Sequence, residues 1–226
     1  MAATSTTSTG NARSGLRWGG ISGIVFVVLF VVGFLMTTDT PDGSASNREW
    51  LKYFRDSGNR RMLVIGALIF AVALLGFLVF LGVLRERLRS ATPGAEWVAT
   101  VAFASGIAFV AAVVVFALGQ GSVAAGVQFG DNPVPRDADI MRTLTSVGFG
   151  AMLVFGAASA GLLVITTSVA GGRAGLLSRW LVVTGYVVGV IVIIGGLIFF
   201  PFVLFVLWVL AVSIVMLRGS GAAAAV

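Results

Sequence analysis

This chain of 226 residues contains no cysteine and no histidine. Their absence excludes disulfides, thiolate nucleophiles and imidazole bases, and it removes the commonest ligands of transition metals. Charged residues are also scarce, at 11% of the sequence, whereas a soluble domain carries roughly a quarter. We therefore expect neither a metal nor another cofactor.

Apolar residues are correspondingly abundant, at 58% of the sequence. A chain of this length cannot bury so much apolar surface in one soluble core, so lipid is the expected solvent for most of it. The composition predicts an all-α membrane protein, a bundle of about six transmembrane helices. The net charge of +6 comes from basic residues that flank apolar segments, which favours anionic lipid headgroups as partners and argues against nucleic acid.

Six apolar segments are long enough, or nearly so, to cross roughly 30 Å of hydrocarbon. Residues 1–16 form an expected disordered tail before a transmembrane domain over 17–218, and 219–226 form a short C-terminal tail. The predicted spans cover residues 19–37, 62–84, 97–118, 143–170, 180–199 and 202–217. The third helix could continue as far as Gly130, beyond its membrane span.

The last two predicted spans lie within one continuous apolar segment. Residues 181–217 form one apolar run of 37 residues, about 55 Å as a single helix. Glycines and Pro201 near its middle favour two spans, but a kinked or re-entrant segment stays open.

Basic residues near the helix ends predict the orientation. With the N-terminus inside, the inner segments carry eight arginines, whereas the outer segments carry seven lysines and arginines. The cluster at residues 85–89, RERLR, directly follows the second span and favours cytoplasmic termini. We expect a multi-pass protein of the cell membrane.

The stretch 46–61, SNREWLKYFRDSGNRR, predicts a short amphipathic helix. Ser46 and Glu49 fit a capping box, and Gly58 is placed to end the helix. Trp50 and Phe54 share one face, which predicts a helix lying flat at the outer membrane surface. The alternative is a lid or docking surface over the outer mouth of the bundle. The expected interfacial anchors are Arg17, Trp18, Trp50, Phe54, Trp97, Arg179 and Trp180.

Tyr186 is the only ionisable residue within the proposed spans. Proton-coupled transport and intramembrane catalysis usually need charged residues there, so neither is expected. The candidates for a ligand site or pathway are the polar residues Gln120, Thr184 and Tyr186. More often, such residues bond a backbone carbonyl or a neighbouring helix.

Small residues four positions apart allow helix backbones to approach closely. The pairs Gly19 with Gly23, Ala102 with Gly106, Ser146 with Gly150, and Ala157 with Gly161 have this spacing. They predict tight helix packing, within one chain or between chains.

Three segments resemble a loose family of small bacterial integral membrane proteins of unknown function. They are YFRDSGNRRMLVIGALI, FLGVLRERLR, and the closing stretch LLSRWLVVTGYVVGV…FPFVLFVLWVLAVSIVMLR. The resemblance extends over most of residues 17–218. It implies a six-helix membrane bundle and carries no functional residue with it.

The absence of intramembrane charge favours a passive role. We expect a non-catalytic scaffold or accessory protein, or a binder of lipid or another apolar ligand. A membrane-protein partner or a second copy of the chain is also possible. The alternative is an uncoupled permease or channel for a small neutral or amphipathic solute, and a lipid enzyme at the membrane surface ranks third.

Overall fold

The computed structural model describes residues 6–91, 93–195 and 201–222, and every regular element in them is helical. The elements are α1 (Thr6–Leu35), α2 (Asn47–Arg55), α3 (Ser57–Ala91), α4 (Glu96–Phe129), α5 (Ala138–Gly150), a π-helical segment (Ala151–Gly156), α6 (Ala157–Arg173), α7 (Arg179–Ile194) and α8 (Pro201–Ala222). The all-α prediction is confirmed over this part of the chain.

Four helical stretches are long and apolar enough to cross a membrane, which supports a membrane-embedded protein. They are Gly15–Leu35, Ser57–Ala91, Glu96–Phe129 and the continuous stretch Ala138–Arg173. The apolar helix α7 and the apolar part of α8, Phe202–Arg218, are shorter. With 16 residues, α7 extends for about 24 Å, less than the thickness of the hydrocarbon layer.

The long helices and α7 and α8 pack as a closed ring in chain order. α1 packs on α3, α3 on α4, α4 on α6, α6 on α7, α7 on α8, and α8 returns to α1. Phenylalanines from four helices fill the centre: the Phe26 ring lies 4.4 Å from that of Phe77, and Phe109 lies 4.8 Å from Phe205. The ring of helices therefore closes around an aromatic core.

Glycines allow several helix pairs to approach at backbone distance. A β-carbon at Gly161 of α6 would lie 2.5 Å from the carbonyl oxygen of Gly189 in α7. One at Gly119 of α4 would lie 2.8 Å from the Cα of Gly148 in α5. Close packing within one chain is thus confirmed at Gly161. At Gly150, by contrast, nothing lies within 4 Å, so the Ser146 and Gly150 pair makes no such contact.

Most helices extend beyond the predicted spans. α1 begins at Thr6, so residues 6–16 are helical where a disordered tail was expected. Once the apolar part of a helix has formed, each added residue gains a hydrogen bond without a new nucleation cost. α4 continues to Phe129, as the sequence suggested. The expected turn at 196–200, residues 1–5 and residues 223–226 lie outside the described residues.

The stop signal predicted for the short helix was wrong. α2 ends at Arg55, and Gly58 lies inside the first turn of α3. Asp56 interrupts the helix with extended backbone, at ψ 123°. Its carboxylate then accepts a hydrogen bond from the Asn59 N–H at 2.9 Å, which satisfies one of the unpaired donors at the start of α3.

Candidate functional site

The N-terminus of α2 is held by the capping box that the sequence predicted. The backbone N–H of Ser46 donates to Glu49 Oε2 at 2.7 Å, and the N–H of Glu49 donates to Ser46 Oγ at 3.4 Å. This reciprocal pair satisfies backbone donors at the helix start, and it sets the direction in which α2 leaves the preceding loop. The side chain of Trp50 follows one residue later.

Trp50 and Phe54 are buried in protein, at 1% and 2% exposure. They form a hydrophobic cluster with residues of three other helices: Leu63, Val64, Ala124, Ala138 and Met141. This burial corrects the expectation that both aromatics lie among lipid headgroups. Because neighbouring helices supply an apolar surface, α2 packs on the bundle, and the alternative of a lid or docking surface stays a prediction.

Two arginines donate hydrogen bonds to the two ends of α2. At the start of α5, Arg142 forms an ion pair with Asp139 at 2.7 Å. Its other terminal nitrogen donates to the Ala45 carbonyl and to Asn47 Oδ1, both at 2.9 Å. In α3, Arg60 donates to the carbonyls of Phe54 and Arg55 at the C-terminus of α2. A cation at this helix end also complements the helix dipole.

A cavity of about 360 Å³ lies beside α2, and we call it the outer chamber because this end of the bundle is the predicted outer side. Its walls come from the end of α1, the following loop, α2 and α5. The lining residues are Phe34, Thr37, Thr38, Thr40, Pro41, Asp42, Gly43, Trp50, Thr145, Ser146 and Phe149. Three aromatic rings with several hydroxyls are typical of a site for a small, largely apolar molecule.

One oxygen of the single carboxylate that lines the outer chamber is bonded by its own loop. Asp42 Oδ1 accepts from the Ser44 hydroxyl at 2.6 Å, the Ser44 N–H at 2.8 Å and the Ala45 N–H at 3.0 Å. These bonds, led by the one from the Ser44 side chain, lower the pKa of Asp42. The indole of Trp50 donates to the Asp42 carbonyl at 3.1 Å. Asp42 thus fixes the conformation of this loop, and its carboxylate stays exposed.

Two neighbouring groups have shifted pKa values for different reasons. Hydrogen bonds from Ser46, first from its backbone N–H and then from its hydroxyl, lower the pKa of Glu49. Burial raises the pKa of Tyr53, which keeps its phenol neutral at ordinary pH.

Gln120 is the predicted candidate with the most unusual surroundings. It lies on α4 at 2% exposure, and neither its Oε1 nor its Nε2 has a hydrogen-bond partner among the described residues. Buried amides are normally paired, so this exception needs an explanation.

The other two candidates lie elsewhere. Thr184 is half-buried on α7, and Tyr186 is 40% exposed on the same helix. α7 packs on α6 and α8, whereas α4 packs on α3, α5 and α6. Gln120 is therefore not brought together with Thr184 and Tyr186 into one site.

The remaining anchor candidates lie towards the opposite end of the bundle, near the starts of α4 and α7 and about three turns into α1. Trp18, Trp97 and Trp180 are 66%, 66% and 75% exposed. Arg17 and Arg179 are exposed beside them. Their role at the membrane surface stays a prediction.

Sequence reasoning missed Arg60 and Arg142 as structural residues. Asp139 and Arg142 are three residues apart in a helix, a spacing that indicates a possible ion pair. No local pattern connects Arg142 to Ala45, 97 positions earlier in the chain. Comparison with family models, curated proteins and solved structures found no match to this chain.

Proposed function

We propose that this chain is a non-catalytic membrane protein that binds one amphipathic molecule, a lipid or a small apolar ligand, in the outer chamber. The observation that carries the proposal is the cavity of about 360 Å³ between α1 and α5. This volume lies at the lower end of the range of small-molecule sites, about 300 to 1,000 Å³. That size suits a headgroup with the start of a chain.

The composition of the chamber wall supports binding over catalysis. Its only titratable side chain is Asp42, and one oxygen of that carboxylate accepts three hydrogen bonds from its own loop. Within the described residues, no three acidic side chains come together as they would in a metal site. A general acid or base needs a proton-transfer group that faces the ligand.

The proposal includes six membrane spans, with the outer chamber outside and both termini in the cytoplasm of a cell membrane. The closed packing of α7 and α8 into the ring supports the last two crossings. The arginines at 85–89 support the orientation. Membership in the resembling bacterial family belongs to the same proposal, as does the preference for anionic lipid around the helix ends.

An uncoupled permease for a neutral solute is the second candidate. It is favoured by the buried, unpaired amide of Gln120, because a polar group inside the bundle could serve as a step along a path. If the chain is a permease, a neutral solute should enter liposomes that contain the protein. If it is a binding protein, the solute should bind to the protein without entering the liposomes.

The binding proposal is tested by photolabelling in phosphatidylcholine nanodiscs with a lipid probe that carries a diazirine and an alkyne. We expect saturable labelling of peptides that contain Phe34, Trp50 and Phe149. Ser146→Phe should fill the chamber and abolish the saturable labelling. Thr143→Phe is the matched control, because Thr143 is exposed on the same helix outside the chamber.

The proposal would be contradicted by labelling that is spread over lipid-facing side chains such as Leu68 and Leu75 and that Ser146→Phe does not change. Both residues are more than 60% exposed on α3. They report ordinary contact with bulk lipid.

A further inference from the structure

The side chains that line the outer chamber are rich in hydrogen-bond acceptors. Every polar side chain of the wall carries oxygen, with the exception of Trp50, whose indole N–H already donates to the Asp42 carbonyl at 3.1 Å. Among the described residues of the wall there is no lysine, arginine, asparagine or glutamine. These side chains therefore offer a ligand oxygen atoms and no free N–H donor.

Two hydroxyls of the wall, just after the end of α1, have already used their protons. Thr37 donates to the Phe34 carbonyl and Thr38 donates to the Leu35 carbonyl, both at 2.8 Å. Because each hydroxyl oxygen keeps its lone pairs, both threonines can still accept a hydrogen bond.

Thr145 of α5 adds a hydroxyl that has no partner. The residue is 6% exposed, and its hydroxyl makes no hydrogen bond within the described part of the chain. The buried hydroxyls of Ser105, Ser168 and Ser213, by contrast, each donate to the carbonyl four residues earlier. Since Thr145 lines the outer chamber, its hydroxyl is available to a molecule bound there.

Asp42 contributes a negative charge with one oxygen available. Its Oδ1 accepts the bonds from Ser44 and Ala45, whereas its Oδ2 accepts none within the described residues. The bonds to Oδ1 lower the pKa of Asp42, so the carboxylate is ionised near neutral pH. No described lysine or arginine forms an ion pair with it. The carboxylate is thus free to pair with a cation from outside the chain.

The apolar part of the wall also suits a cation. Three aromatic residues, Phe34, Trp50 and Phe149, line the same cavity. The face of an aromatic ring attracts a cation electrostatically, and tryptophan does so most strongly. An anionic group would instead meet a carboxylate and acceptor oxygens, and burying an unpaired charge is costly.

We propose that the outer chamber binds the primary ammonium group of an amphipathic amine, and that Asp42 is the residue that selects it. A primary ammonium has three donors and no acceptor, which complements Asp42 Oδ2 and the hydroxyls of the wall. The apolar part of the amine packs against the aromatic residues. This inference rests on the proposed function and adds the class of headgroup.

The test compares three photoactivatable probes that differ only in their headgroup: hexadecylamine, hexadecanol and hexadecyltrimethylammonium, each with the same diazirine and alkyne. The protein is kept in dodecyl maltoside, an uncharged detergent, so that no choline headgroup competes. We expect saturable labelling of peptides that line the chamber, with the amine binding roughly tenfold or more tightly than the alcohol, the effect of a charged hydrogen bond. The trimethylammonium probe has no N–H donor and should bind more weakly than the amine.

Asp42→Asn removes the charge and keeps a side-chain oxygen for the loop. It should weaken binding of the amine by roughly tenfold or more and leave binding of the alcohol unchanged, which also shows that the chamber is intact. Asp39→Asn is the matched control, because Asp39 is an exposed carboxylate of the same loop that does not line the chamber. Thr145→Val, which replaces the free hydroxyl by a methyl group, should weaken binding of the amine more than binding of the trimethylammonium probe.

The failure of this inference and the failure of the proposed function are distinguishable. Saturable labelling by the amine that Asp42→Asn leaves unchanged, or that Asp39→Asn weakens equally, would overturn the role of Asp42 while keeping the binding proposal. Tighter binding of the alcohol or of the trimethylammonium probe would overturn the primary ammonium as the headgroup. Absence of saturable chamber labelling by all three probes would overturn the proposed function as well.

Butylamine, a short water-soluble amine, distinguishes the two sources of the ligand. If butylamine competes with the amine probe, the headgroup alone is sufficient for binding, which supports an aqueous source. If it does not compete, the long apolar chain is required, which supports a membrane source.

Discussion

Arg142 joins three separate parts of the chain at the end of the bundle that carries α2. Its guanidinium contacts Asp139 in α5, the Ala45 carbonyl in the loop and Asn47 at the start of α2. The side chain of Arg142 is 26% exposed, so solvent weakens the ion pair but does not fully screen it. The planar guanidinium can make all three contacts at once, which lysine cannot do.

Replacing Arg142 by methionine should therefore loosen α2. We expect a loss of about 1 to 3 kcal/mol of local stability, because hydrogen bonds to a charged donor are lost at two sites. Hydrogen exchange of residues 44–55 is the measurement, and faster exchange confined to that segment is the expected result. Arg136→Met is the control, since Arg136 is exposed on the preceding loop. Equal exchange in both variants would contradict the role of Arg142.

The carboxylates of Asp42 and Glu49 predict a response to acid. Their pKa values lie below the ordinary values of 3.8 and 4.5 in the folded protein. Such groups stabilise the fold above their ordinary pKa, and this contribution is lost as the pH falls through the lowered value. We expect residues 42–50 to loosen below about pH 4.

The NMR signal of the Trp50 indole N–H reports this change, because it bonds the Asp42 carbonyl. The signal should shift or broaden on acidification in the wild-type protein. The double variant Asp42→Asn and Glu49→Gln keeps oxygen acceptors without titrating, so its signal should stay constant. The same acid response in both proteins would assign the change to other groups.

At the scale of the helix, α6 and α7 depend on the contact between Gly161 and Gly189. A β-carbon on either residue would meet the carbonyl oxygen of the other, at 2.5 and 2.9 Å. The two backbones can be this close only because neither residue has a side chain.

Gly161→Ala should push α6 and α7 apart and lower stability by about 1 to 3 kcal/mol, the usual cost of overpacking. Thermal unfolding in one detergent is the measurement. Gly150→Ala is the matched control, because nothing lies within 4 Å of the added carbon and the residue belongs to the same continuous helical stretch. An equal loss of stability in both variants would show that the Gly161 contact does not explain the loss.

The π-helical segment Ala151–Gly156 divides this stretch into α5 and α6. It packs on α4, and Gly156 lies near Ala112 of α4 and Phe202 of α8. A π-turn shifts the register of the helix, so α5 can face α2 and the outer chamber while α6 faces α7.

At the scale of the whole molecule, the membrane crossings can be mapped by cysteine labelling, because the chain has no cysteine of its own. Arg136→Cys should react with a membrane-impermeant reagent from one side, and Ser90→Cys from the other. Gly195→Cys, at the end of α7, should react from the same side as Arg136→Cys if α7 crosses completely. Protection of Gly195→Cys from both sides would favour the re-entrant alternative.

The sequence by itself determined the solvent and the local structure of this protein. The scarcity of charge and the long apolar runs require lipid around the helices, because water could not solvate that surface. Ser46 and Glu49 determined the start of α2, since a capping box involves residues only three positions apart. Gln120 also stood out from sequence, as a polar residue close to a span.

Only the tertiary structure decided what those features do. The apolar face of α2 could pack on lipid or on protein, and the choice depended on residues up to 91 positions away, as between Trp50 and Met141. Likewise, the outer chamber is formed where α1, α2 and α5 meet, and α1 and α5 are separated by a hundred residues of chain. Hydrophobicity is non-directional, so a sequence shows that a face is buried without showing what it is buried against.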